Sequence, residues 1–152
     1  MIRVRIRPLA AAVALIALAA GASSCGETPT SPSDQPFTVT DVKAGSGAIA
    51  VNGSLLAVHY IGWLYNPGVT DGKGGVFDTS RTGTPFVFTL GNNEVITGWD
   101  QGLVGMAVGG VRRLVIPPNL AYGAERSGPI PPYSTLIFEV ELLGIGQEVT
   151  DE

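Results

Sequence analysis

The sequence holds a single histidine and a single cysteine among its 152 residues. A lone histidine, His59, with no cysteine or acidic cluster at ligand spacing, makes a poor metal site. Neither a Ser-His-Asp nor a Cys-His catalytic arrangement can be assembled around it. No glycine-rich loop of the phosphate-cradling kind is present, so nucleotide chemistry is set aside and no cofactor or metal is expected. With Cys25 alone there is no disulfide framework. A long apolar run is also lacking: Leu9 to Ala20 is the longest, short of the roughly 20 residues that a membrane-spanning helix needs. Basic residues are scarce, 9 against 13 acidic, which argues against a nucleic-acid surface. Internal repeats and long helical periods are absent.

What the N-terminal end does have is order. Arg3, Arg5 and Arg7 precede the apolar run, and small residues follow it in "GASSC", the charged, apolar and small-residue sequence of an export signal. Residues 1–24 are therefore expected to be a signal peptide that is removed. "Ala22-Ser23-Ser24-Cys25" resembles the bacterial lipobox, in which cleavage before the cysteine frees a thiol for lipid, although Ala22 stands where leucine is commonest. "Ala20-Gly21-Ala22" offers an ordinary cleavage site, so a secreted chain beginning at Ser23 stays open. Removal takes three of the nine basic residues and no acidic one, leaving 6 minus 13, a net charge of -7. Such a chain is not drawn to anionic lipid by charge, and acyl chains on Cys25 are then its membrane link. The expected location is the bacterial cell envelope, periplasmic or outer face, lipid-anchored or otherwise secreted. Residues 25–36, "CGETPTSPSDQP", carry no apolar periodicity and are expected to be a disordered tether, and residues 147–152 a C-terminal tail.

The remaining stretch, 37–146, is long enough for one domain with its own core. Most of the 21 glycines fall here between short β-branched and aromatic runs. "LLAVHYIGWLY", "PFVFTL", "VRRLVI" and "TLIFEVELL" are the clearest strands, with a weaker one around "FTVTDV". In the last of the four, Leu136, Phe138, Val140 and Leu142 alternate with Ile137, Glu139 and Glu141, giving one buried and one wetter face. A sheet with one solvated face is most simply antiparallel. The best helix candidate is short, about Gly98 to Met106, with Asp100 near its positive end. The fold class expected is α+β, an antiparallel sheet closed over one short helix.

Five blocks in register resemble the FKBP-type peptidyl-prolyl isomerases: "VHYIGWL", "VFDTSRTGTPFVFTLG", "EVITGWDQGL", "MAVGGVRRLVIPPNLAYG" and "IPPYSTLIFEVELL". The resemblance covers nearly all of Phe37 to Gly144. It implies a strongly bent, half-rolled antiparallel sheet around the short helix and an aromatic pocket built from Tyr60, Phe77, Phe86, Trp99, Tyr122 and Phe138. Val95, Ile96 and Ile130 would line its rim, with Asp78 the one charge close by. The implied catalytic set is Asp78, Tyr122, Trp99 and Phe138, with Trp99 as the base on which a proline ring rests. Gly98 would let the chain turn and the indole face the cavity. Phe88, Trp63 and Tyr65 are read as core, and His59 as a structural strand residue. The chain departs from the family pattern in a path from "FDTSR" to "PF" that is one residue shorter and lacks an arginine often found there. It also has a longer loop "NPGVTDGKGG" and a flap "ERSGPIPP" one residue shorter.

The activity implied is rotation of X-Pro bonds in exported, proline-containing unfolded or partly folded polypeptides by a monomer open to macrolide inhibitors. Two other readings stand beside it: a proline-peptide binding module without turnover, and an envelope holdase. The short stretch between Gly123 and Pro132 has no room for the inserted domain that a holdase of this kind usually carries.

Overall fold

The computed structural model describes residues 35–146. The stretch expected to be a signal peptide, Cys25, all but the end of the expected tether and the expected C-terminal tail lie outside the described residues. Six strands and one α-helix follow in the order β1 (Thr38–Lys43), β2 (Leu55–Tyr65), β3 (Lys73–Thr79), β4 (Phe86–Thr89), α1 (Thr97–Gly102), β5 (Val111–Ile116) and β6 (Leu136–Gly146). A single 3₁₀ turn at Pro118–Leu120 follows β5. All pairings are antiparallel, in the spatial order β1-β5-β6-β2-β3, with β4 also on β2. The long β2 shares one edge between two partners: Leu55 to Val58 pair with β4, and Ile61 to Tyr65 with β3. That division bends the sheet around α1. The sheet is open rather than closed, because β1 pairs only with β5 and β3 only with β2: it is the strongly bent, half-rolled antiparallel sheet around one short helix that was expected.

Strand alternation builds the concave face. Leu56 and Val58 of β2, Leu114 and Ile116 of β5, and Leu136, Phe138, Val140 and Leu142 of β6 are buried in one cluster, which Trp99 and Leu103 complete from the helix side. Glu139 and Glu141 are on the wetter face as expected, but Ile137 is buried as well, beneath the loop around Gly72. Phe88 is core, 2% exposed. Trp63 and Tyr65, read as core, are instead half-buried. They sit on the outer side of β2, where the Lys73 ammonium lies 4.5 Å from the Trp63 ring centre. His59 is a strand residue whose Nδ1 lies 3.2 Å from Ser80 Oγ.

Two element boundaries differ from expectation. Lys73 to Gly75, placed in a loop, belong to β3. Glycine has poor strand propensity, and the pairing register slips twice along β3. The strand is held by its partners instead, including a 2.6 Å ion pair from Lys73 to Glu139. The helix ends at Gly102 rather than Met106. Arg112, on the inner face of β5 and 8% exposed, donates through Nη1 to the carbonyls of Gly102 and Val104 and through Nε to Asp41 at 2.7 Å. Gly105 then takes φ +78°, a left-handed conformation that no helix continues through. Among the described residues no helix is long and apolar enough to cross a membrane.

Candidate functional site

Where the bend of the sheet opens over α1, a cavity of about 700 Å³ is lined by Tyr60, Phe77, Asp78, Phe86, Val95, Ile96, Trp99, Tyr122 and Phe138, together with Asn93, Glu94, Thr97 and Ala121. Nine of the ten pocket residues expected from the sequence are thus brought together. The exception is Ile130, which does not line the cavity. It is 4% exposed and packed in the core, and its backbone is tied both ways to Ser127.

Trp99 occupies the centre. The ring planes of Tyr60, Phe138 and Phe86 stand 82°, 87° and 82° to the indole, with centroids 5.2, 5.2 and 6.1 Å away. Phe88 packs against it at 5.6 Å, and Phe77 meets Phe138 edge-on at 5.5 Å. Edge-to-face pairs of this kind are favoured by the ring quadrupoles, so the walls hold one another upright around a flat aromatic centre. Trp99 Nε1 is buried without a hydrogen-bond partner; packing alone sets the orientation of the indole.

Glycines make the close approaches possible. Gly98 is helical, and its role is not a turn. A Cβ there would stand 2.5 Å from Ile116 Cγ2, so its bare backbone is what lets α1 seat against β5. Gly62 was not foreseen. A Cβ on it would meet Phe77 Cζ at 2.6 Å and Phe138 Cε1 at 2.9 Å, so this gap in β2 is where those two rings fit.

Asp78 was expected to be the one charge close by, but Glu94 lines the cavity too. One polar edge is made by Tyr60 and Asp78. The Tyr60 hydroxyl donates to Asp78 Oδ2 at 2.5 Å, and the Thr79 amide donates to Oδ1 at 2.8 Å. Burial first, then the hydrogen bond to Asp78 and its negative charge, push the Tyr60 hydroxyl well above the ordinary tyrosine range, so it is a donor at any physiological pH. Arg81 does not take the place of the missing arginine: its guanidinium faces Glu141 at 3.4 Å. Tyr122 also lines the cavity and is 39% exposed. Ile96 is the N-terminal flank of α1, and its carbonyl accepts from the amides of Trp99 and Asp100.

All of the cavity-lining residues fall within the stretch that known proteins match. The family model of the FKBP-type peptidyl-prolyl cis-trans isomerases matches residues 47–143. The chain belongs to that family. It is 52% identical over 111 residues to FK506-binding protein 4 of Neurospora crassa, covering 73% of this chain and 22% of that one. Against the 46 kDa FK506-binding nuclear protein of Spodoptera frugiperda it is 46% identical over 109 residues, 71% of this chain and 25% of that one. The chain thus spans about a quarter or less of the length of these curated relatives. Among solved structures, AtFKBP13 is similar at 41% identity with a TM-score of 0.62, covering 72% of this chain and 93% of that one. The peptidyl-prolyl cis-trans isomerase of Pseudomonas syringae pv. tomato DC3000 is similar at 38% identity with a TM-score of 0.60, over 73% and 76%. The curated relatives correct the expected location. They are fungal FK506-binding proteins and an insect nuclear one, not bacterial envelope lipoproteins. That expectation rested on the first 25 residues, which the matched stretch does not include.

Proposed function

We propose that residues 37–146 act as a monomeric peptidyl-prolyl cis-trans isomerase on proline-containing, unfolded or partly folded polypeptides. The observation that carries this reading is the aromatic well centred on Trp99 with the Tyr60–Asp78 pair at its edge. An X-Pro bond rotates over a barrier of about 18 to 20 kcal/mol because twisting it destroys amide resonance. No bond is made or broken. The twisted amide has lost charge separation between oxygen and nitrogen, so an apolar, water-poor wall favours it over the planar, dipolar ground state.

An acceleration of about 10⁵ would require roughly 7 kcal/mol of such preference, more than aromatic walls are expected to supply alone. Polar groups on the rim provide the remainder in this reading: the Ile96 N–H and the Tyr122 hydroxyl on substrate carbonyls, and the Asp78 carboxylate facing the carbonyl carbon of the twisting bond. Trp99 and Phe138 bear the proline ring, and Tyr60, Phe77, Phe86 and Val95 enclose it. The pocket that takes proline also takes the pipecolyl ring of a macrolide such as FK506, which the relatives' names carry.

A protease-coupled assay on an Ala-Leu-Pro-Phe peptide tests the activity. Catalysis suppressed by stoichiometric macrolide is expected. Tight macrolide binding with no acceleration would leave a binding module in its place.

A further inference from the structure

We infer that Asp100 is a positioning residue that holds the binding rim of the pocket in register with its floor. The inference rests on the isomerase reading for its kinetic arm only. Asp100 follows Trp99 on α1, and its carboxylate turns back under the segment joining β4 to the helix. Oδ1 accepts the Gly91 amide at 2.8 Å and Oδ2 the Asn93 amide at 3.1 Å. Both donors sit in left-handed backbone, φ +80° at Gly91 and +58° at Asn93. For Asn93, a non-glycine residue, that conformation carries a cost and persists only where the surroundings dictate it.

Asn93 and Glu94 line the cavity, and Val95 and Ile96 follow at once. The Asp100 amide in turn donates to the Ile96 carbonyl at 3.3 Å. One residue therefore grips the rim at three backbone points, from a helix turn whose previous residue is the aromatic floor. Glu94 closes the same segment from the other side, accepting the Thr89 amide at 3.0 Å and Asn92 Nδ2 at 2.9 Å. A carboxylate accepting two amides is stronger than a neutral acceptor. The rim that supplies the Ile96 amide to a substrate carbonyl is then set before substrate arrives, which lowers the ordering cost of binding.

Asp100→Asn keeps one acceptor and sets an NH₂ against an N–H. The expected result is a kcat/KM for the proline peptide about tenfold lower, the scale of one charge-assisted hydrogen bond, with KM raised and kcat lowered, because the Ile96 amide that the rim presents serves both binding and the twisted state. Macrolide affinity, read by Trp99 fluorescence and independent of turnover, should fall in parallel. Asp100→Glu should recover most of the loss. Amide hydrogen exchange provides the readout that a merely structural role would not move: in Asp100→Asn the Gly91 and Asn93 amides should exchange faster while those of β2 and β6 keep their protection. Unchanged kcat/KM and unchanged exchange at Gly91 and Asn93 would overturn the inference, as would a uniform loss of protection across the sheet. If Asp100→Asn does not fold, the wild-type protein decides: Gly91 and Asn93 amides protected like strand amides support the inference, and amides exchanging like an open loop refute it. A wild-type chain with no isomerase activity would sink the enzymatic reading and leave the exchange and macrolide arms standing.

Discussion

At the scale of single residues, the site separates into groups that make a shape and groups that place charge. Phe138 belongs to the first: it is 4% exposed and in ring contact with Trp99, Tyr60 and Phe77. Truncating a buried phenylalanine typically costs about 3 to 5 kcal/mol. Phe138→Ala should therefore lose ligand affinity and thermal stability together. Asp78 belongs to the second, and its partners, the Tyr60 hydroxyl and the Thr79 amide, lie at the cavity edge. Asp78→Asn should lower kcat while leaving macrolide affinity within a few-fold of wild type, because the apolar walls remain. Both variants would be melted first, then assayed for isomerisation and binding. Full rate in a folded Asp78→Asn protein would remove the carboxylate from the mechanism and leave the walls, Tyr122 and the Ile96 amide.

At the scale of elements, the pocket depends on how closely α1 is held to β5 and β1. The seat at Gly98 is the tightest point: alanine there would put a methyl 2.5 Å from Ile116 Cγ2. Overpacking of this kind costs about 1 to 3 kcal/mol. Gly98→Ala should lower the denaturant midpoint and shift Trp99 fluorescence, since the neighbouring residue must move with the helix. An unchanged midpoint would mean that β5 yields without strain. The second hold is Arg112, which joins the carbonyls at the end of α1 to Asp41 of β1. The hydrogen bond from Arg112 keeps the Asp41 carboxyl below its usual value of 3.8. With a folded pKa below the unfolded one, the pair stabilises the fold above pH 3.8 and the contribution is lost as pH falls through the folded value. Asp41→Asn should thus be less stable than wild type at pH 6, and the difference should shrink below about pH 4. Urea midpoints for the two proteins across that range check it; a gap that does not narrow would mean that the ion pair is not its source.

At the scale of the whole molecule, cavity and core are continuous. Trp99 and Phe138 line the one and belong to the other, and β6 runs through the middle of the sheet between β5 and β2. A ligand in the pocket is therefore expected to stabilise the entire domain rather than a loop. Macrolide at one hundred times its Kd should add about 2.7 kcal/mol, a rise of about 10 °C in the melting midpoint of a domain of this size. Circular dichroism and Trp99 fluorescence should report the same transition. A fluorescence change well below the loss of sheet signal would show the site opening on its own.

Local chemistry was enough for β2, β5 and β6, whose β-branched and aromatic runs, and in β6 the alternation of apolar and polar residues, are properties of neighbours in sequence; the grouping of Tyr60, Phe77, Phe86, Trp99 and Phe138 came instead from the resemblance of five blocks to a known family. It was enough, too, for Phe88 as core. It could not supply β3, because "KGG" has no strand propensity and is held by Lys73 on Glu139 and Trp63, partners distant in sequence. Nor could it supply the end of α1, which Arg112 determines from across the sheet, the burial of Ile130 away from the cavity, or the gap that Gly62 leaves for Phe77 and Phe138. Each of those depends on which atoms meet after folding. Asp100 shows the division within one side chain: its position after Trp99 can be read from the chain, but its hold on Gly91 and Asn93 exists only when the rim folds back over the helix.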